Sequence, residues 1–169
     1  MSPFGRSFLP PKWVTSFTWY KFFRYSSQVI EETLRLSITA PYAARISSQE
    51  LSILGHKIPA NTPIIASLGV SLHDEKYFPN PQDFDPERFS VENIKKRPSL
   101  AYMPFGLGSR RCPGYRFSRF EAFATLSVLV RQFRIRPAFE DDFFIQPSFG
   151  FVTKPDTEIW IKVESRTRL

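Results

Sequence analysis

The apolar positions of this chain follow a helical period in two places and a strand-like period in two others. From Ser27 onward, Val29, Ile30, Leu34 and Ile38 fall on one helical stripe, with Ser27 as the cap and Pro41 as the stop, which predicts a short amphipathic helix. Ile46, Leu51, Ile53, Ile58, Ile64 and Ile65 follow, broken at Gly55 and across 59–61, the rhythm of short strands joined by hairpin turns in a small sheet. A helical turn or two is expected around 68–72. Pro79, Pro81, Pro86, Pro98 and Pro104 then punctuate a long stretch without regular period, of the kind that a compact domain keeps for a functional reason. Phe117, Phe120, Phe123, Ala124, Leu126 and Val130 recur at helical spacing and predict the longest helix, opened by Pro113 and running to about Arg131. Past Pro137 the pattern turns to strands, with a turn at 154–157 and Ile159, Ile161 and Val163 set against Glu158, Lys162 and Glu164. Residues 1–24 are rich in aromatics and prolines and show neither period, so they form a separate segment with no assigned structure, a candidate for disorder. The expected fold class is α+β.

Composition adds three constraints. The chain has 169 residues, 42% hydrophobic, with 18 Phe, enough to bury the core of one globular domain without disulfides. Its single cysteine cannot close an intramolecular disulfide and stands free as a ligand or nucleophile. A formal charge of +7 suits an acidic partner, and Arg110, Arg111, Arg116 and Arg119 gather around that cysteine, while Lys95, Lys96 and Arg97 form a second cluster. No stretch has the length of apolar residues that crosses a membrane, so the chain reads as cytosolic or peripherally bound.

Residues 105–114 read Phe-Gly-Leu-Gly-Ser-Arg-Arg-Cys-Pro-Gly. Gly108 and Gly114 permit backbone conformations and close approaches that let amides turn toward a sulfur at Cys112. Hydrogen bonds from those amides and the amino terminus of the following helix would favour a metal-ligating thiolate. Arg110 is placed to pair with a carboxylate, and Phe105 to exclude water. A lone cysteine is also a common small buried hydrophobe, so the surrounding residues carry the inference. Other glycine-loop sites fit less well. The third glycine of a dinucleotide fingerprint is missing, no Gly-Lys-Ser/Thr follows, and only His56 and His73 accompany the cysteine, without zinc-site spacing.

The 105–114 segment resembles the haem-binding signature of the cytochrome P450 superfamily at every constrained position. Upstream, Glu32-Thr33-Leu34-Arg35 is similar to that family's Glu-x-x-Arg helix, and Asp85-Pro86-Glu87-Arg88-Phe89 to the segment whose arginine completes a buried ion network. Taken alone, Glu32 and Arg35 are an ordinary i,i+3 helical pair, and Asp-Pro-Glu-Arg-Phe an ordinary turn. In this order the three motifs resemble the family from about residue 22, with one departure, Ser118 standing where a small alanine is usual.

The resemblance implies the carboxyl-terminal part of the mainly α cytochrome P450 fold across residues 25–169: Glu-x-x-Arg helix, small sheet, proline-rich meander, cysteine loop, long helix and terminal hairpins. It implies haem b held by Cys112, with Phe105, Gly108, Arg110, Gly114 and Arg45 around it, Glu121 in the helix that follows, and Glu32, Arg35 and Arg88 as the structural network. The implied activity is a monooxygenase reaction on a small organic substrate, driven by electrons from a reductase or ferredoxin-type protein, with no nucleic acid as partner. Members of the family associate with the endoplasmic reticulum or with mitochondria. The family's central helix, with its acid and alcohol pair, has no counterpart before Ser27, so the reading is of a truncated product that exposes apolar surface and is not catalytic alone. The alternative function is a non-catalytic fragment that binds haem or the redox partner.

Overall fold

A computed structural model describes residues 16–139, 147–148 and 152–166. Helix α1 spans Ser16–Leu36 and is followed by strands β1 (Tyr42–Ile46), β2 (Leu51–Ile53), β3 (His56–Ile58) and β4 (Pro63–Ser67). A meander of short helical turns comes next, holding 3-10 turns at Val70–His73 and Pro86–Phe89, helix α2 (Val91–Ile94) and further 3-10 turns at Ser99–Ala101 and Gly108–Arg110. Helix α3 (Tyr115–Gln132) leads directly into β5 (Phe133–Pro137), and β6 (Pro147–Ser148), β7 (Lys154–Pro155) and β8 (Ile161–Ser165) close the order. Helices with small sheets make this an α+β chain.

Three of the expected boundaries move. Helix α1 begins at Ser16, so Ser27 lies inside it and caps nothing, and the helix runs unbroken across residue 24. Its first turns carry Trp19, Tyr20, Phe22 and Phe23, aromatics too closely spaced to draw one stripe. Helix α3 takes Gly114 as its N-cap, which leaves Pro113 outside the helix that it was expected to open. Residues 154–155 pair with 147–148 as a strand instead of forming only a turn.

The sheet after α1 is two sheets. β2 and β3 make a tight hairpin, Ile53 opposite His56, across Leu54 and Gly55, whose φ angles of 50° and 83° give the left-handed turn that fits the twist of paired strands. β1 reaches past this hairpin to pair antiparallel with β4, placing Arg45 opposite Ile64. Ser47 ties the two levels together: its hydroxyl donates to Pro59 O at 2.7 Å and accepts from Thr62 N at 2.9 Å. At the far end β5 pairs with β8, Ile135 opposite Val163, and every residue of β8 is exposed despite its alternating sequence.

The core lies between α1 and the meander. Ile38, Leu72, Phe78, Phe89 and Ala101 are its buried apolar residues, with Leu68, Tyr77 and Tyr102 packed against them. The side of α1 that turns inward is polar: Ser26, Gln28, Glu32 and Arg35 are buried, whereas Val29, Ile30 and Leu34 are half-buried. Helix α3 buries no residue, and Phe117 and Phe120 are 71% and 69% exposed. Among the described residues no helix is long and apolar enough to cross a membrane.

Candidate functional site

Glu32 and Arg35 have no solvent-exposed side-chain surface and form a two-pronged ion pair, Nε to Oε2 at 2.8 Å and Nη2 to Oε1 at 2.9 Å. The i,i+3 spacing sets this pair up within α1, and the meander completes it. Arg35 Nη1 donates to Leu72 O (2.9 Å) and Pro81 O (2.7 Å), and Nη2 also donates to Asp83 O (3.1 Å). All five guanidinium donors are thereby used, which is what a buried arginine requires. Glu32 Oε1 accepts the Asp85 amide at 3.0 Å and lies 3.4 Å from Arg88 Nε. Arg88 in turn donates to Pro79 O and Asn80 O, so the three charged residues singled out by the sequence meet and fasten the proline-rich stretch to the helix.

Two further arginines, marked in the sequence only as members of basic clusters, join this core. The Arg97 guanidinium sits 4.3 Å from the Phe78 ring centroid and 4.9 Å from that of Phe89, and desolvation lowers its pKa from the ordinary arginine value. Arg119 reaches from α3 to Glu31 on α1, Nη2 to Oε2 at 2.7 Å. The Tyr102 hydroxyl donates into the same Glu31 carboxylate at 2.7 Å. Burial, followed by the charge and hydrogen bond of Glu31, pushes the Tyr102 phenol well above its usual range, because both disfavour a second negative charge there.

The cysteine loop stands on the other side of this core. Cys112 N donates to Phe105 O at 3.0 Å and Arg111 N to Gly108 O at 3.1 Å, closing 105–112 into a compact turn. Gly106 and Gly108 both have φ of 71°, the left-handed region that glycine enters without strain, and each faces open space where a side chain would stand. Gly114 has an ordinary negative φ, and a Cβ there would come 4.0 Å from Cys112 Sγ, an ordinary contact, so neither turn geometry nor crowding requires glycine at this position.

Cys112 is free and exposed. Among the described residues no amide donates the expected hydrogen bond to its sulfur. The loop's own turns consume the amides of Arg111 and Cys112, and the Tyr115 amide goes to Cys112 O at 3.4 Å. Phe105 is half-buried, with its ring 6.4 Å from that of Tyr115. Arg111 stacks on the opposite partner, 3.6 Å from the Tyr115 centroid, and Arg116 Nε donates to the Tyr115 hydroxyl at 2.8 Å, lowering that phenol's pKa.

Arg110 is exposed and finds no carboxylate or other side-chain partner among the described residues. Arg45 is exposed on β1 and donates only to Ala44 O at 2.7 Å. Ser118 and Glu121 are exposed on α3. The donor set at Cys112 is a single soft sulfur, and no group of three or more His, Cys, Asp or Glu side chains among the described residues is gathered to hold a bare ion. Such a site fits a metal that brings its own equatorial ligands and needs one axial donor from the protein.

Comparison with known proteins identifies the family. The family model for cytochrome P450 matches residues 20–161. Thromboxane-A synthase of Mus musculus is 34% identical over 142 residues, covering 84% of this chain and 27% of that protein. Cytochrome P450 4V2 of Homo sapiens is 36% identical over 151 residues, 85% of this chain and 27% of its own length. Cytochrome P450 6a9 of Drosophila melanogaster is 33% identical over 144 residues, 83% and 29% respectively. The chain thus spans little more than a quarter of the length of these relatives.

Proposed function

The chain belongs to the cytochrome P450 family, a family of haem-dependent monooxygenases, and on that premise we propose that Cys112 is the axial thiolate ligand of haem b. The observation that carries this is the lone cysteine exposed on a loop closed by its own amide, where the described residues gather no group of three or more His, Cys, Asp or Glu side chains. The haem-domain portion runs from about residue 25 to 169. When bound, haem supplies oxygen activation with electrons from a redox partner, and thiolate ligation favours cleavage of the oxygen–oxygen bond.

Each residue near the loop has a task in this reading. Gly106 and Gly108 hold the turn that presents the sulfur, and Gly114 caps the helix that follows it. Phe105 shields one side of the loop from water. Arg110, exposed and unpaired among the described residues, offers its guanidinium fork to a propionate, and Arg45 gives a second cation for the same purpose. Glu32, Arg35 and Arg88 act at a distance, by fixing the meander that delivers the loop. The substrate is a small organic molecule, the electron donor a reductase or ferredoxin-type protein, and the working location the endoplasmic reticulum or mitochondrial membrane.

The test is haem addition to the purified chain, recording the spectrum of the reduced, carbon-monoxide-bound form of wild type and Cys112→Ala. Wild type is expected to give the red-shifted thiolate band and the variant to lose it; haem uptake with identical spectra in both would sink the assignment. A second reading, a non-catalytic fragment that binds a redox protein, draws on the exposed Arg110 and Arg116 beside the loop. It predicts salt-sensitive binding of an acidic electron-transfer protein that persists in Cys112→Ala.

A further inference from the structure

We propose that Glu31 and Arg119 are positioning residues for the cysteine loop, an ion pair that holds Phe105 and thereby the backbone of Cys112 in register with the buried Glu32–Arg35–Arg88 network. The proposal deepens the reading of Cys112 as a haem ligand and rests on it for its purpose, though not for its geometry. Glu31 and Glu32 are neighbours on α1 that turn to different sides. Glu32 serves Arg35, Arg88 and the Asp85 amide, while Glu31 takes Arg119 and Tyr102.

The chain of contact beyond Glu31 is continuous in both directions. Arg119 Cζ lies 5.4 Å from the Phe105 ring centroid, and Phe105 O is the acceptor for Cys112 N–H. On the other side the Tyr102 ring meets Phe89 edge-on at 4.7 Å, and Arg97 bridges Phe89 to Phe78, whose ring lies 5.2 Å from Arg35 Cζ. A fully solvated ion pair would contribute little to this. Here the Glu31 and Arg119 side chains are 18% and 35% exposed, and Arg119 Nε is buried without a hydrogen-bond partner. The Glu31 carboxylate is the one charged partner, among the described residues, of the guanidinium that lies over Phe105.

Amide hydrogen exchange of segment 105–112 in the full 169-residue chain, followed by mass spectrometry, reads the Cys112 N–H to Phe105 bond without any cofactor. Arg119→Met and Glu31→Gln are each expected to speed this exchange about tenfold, the order that follows from losing one charge-assisted hydrogen bond. The double variant should be no faster than the faster single, and Arg119→Lys should recover part of the protection, while the β1–β4 pair exchanges as in wild type. Unchanged exchange in both single variants, single effects that multiply in the double, or equal acceleration across the whole chain would each overturn the proposal. Should either charge variant fail to fold, Tyr102→Phe removes only a hydroxyl and is expected to speed the same segment by a smaller factor; no change there is equally fatal. The reduced carbon-monoxide spectrum separates the two ideas: identical spectra for wild type and Cys112→Ala remove the ligand assignment and leave the clamp to be judged on exchange alone.

Discussion

The buried arginine network and the cysteine loop are both built from charged residues and turns, yet one is closed and the other open. Every guanidinium donor of Arg35 is met by a carbonyl or carboxylate from the chain itself, and Glu32 and Arg35 are both wholly shielded from water. Around Cys112 the thiol is exposed, Arg110 has no side-chain partner among the described residues, and Gly106 and Gly108 face empty space. The difference divides labour within the chain. Order in the meander resides in the network, and the loop keeps its reactive groups free for something brought to it.

The sharpest way to break this comparison is Arg35→Met, which strands the Glu32 carboxylate in the core. It should cost about 3–5 kcal/mol, read as loss of the urea unfolding transition or its collapse to low denaturant; a loss below about 1 kcal/mol would mean that the network is not the organising centre. Gly108→Ala should cost less, about 1 kcal/mol, since only the left-handed φ and no neighbouring atom opposes the methyl group. Its larger consequence falls on haem uptake, which should weaken more than global stability does, and equal losses in the two measurements would erase the distinction between the regions.

The smallest effect is one of pH. Because the folded Tyr102 phenol is held above the unfolded tyrosine value of about 10, its contribution is complete below that pH and is lost as pH rises through and beyond it. Comparing denaturation of wild type and Tyr102→Phe between neutral pH and about pH 11 should show a shallower alkaline decline in the variant. Parallel curves would remove Tyr102 from the network.

The local features were legible in the sequence and the distant ones were not. The cysteine loop is contiguous, and Glu32 with Arg35 needs only one helical turn, so spacing alone brings these residues together. That Glu32 and Arg35 lie buried, instead of on a solvated face, depends on carbonyls from Leu72, Pro81 and Asp83, which no local pattern announces. Arg97 and Arg119 stood out only as members of basic clusters, and Glu31 not at all, because their partners lie on other elements. The apolar stripe on α1 predicts the helix, but spacing does not show that Ser26, Gln28, Glu32 and Arg35 are buried while Val29, Ile30 and Leu34 are only half-buried. The apolar spacing of α3 was likewise right about helix and silent about burial, since Phe117 and Phe120 have nothing within the described residues to pack beneath.

Among the described residues, each of the eight strands belongs to a sheet of two. Every strand is then an edge strand, with a row of amides and carbonyls on its outer side that no neighbouring strand satisfies. The exposed isoleucines Ile46 and Ile65 flank such rows on β1 and β4. A chain arranged in this way is a template for any extended segment that meets it, so concentration, and not only temperature, sets how long it stays a single molecule in solution.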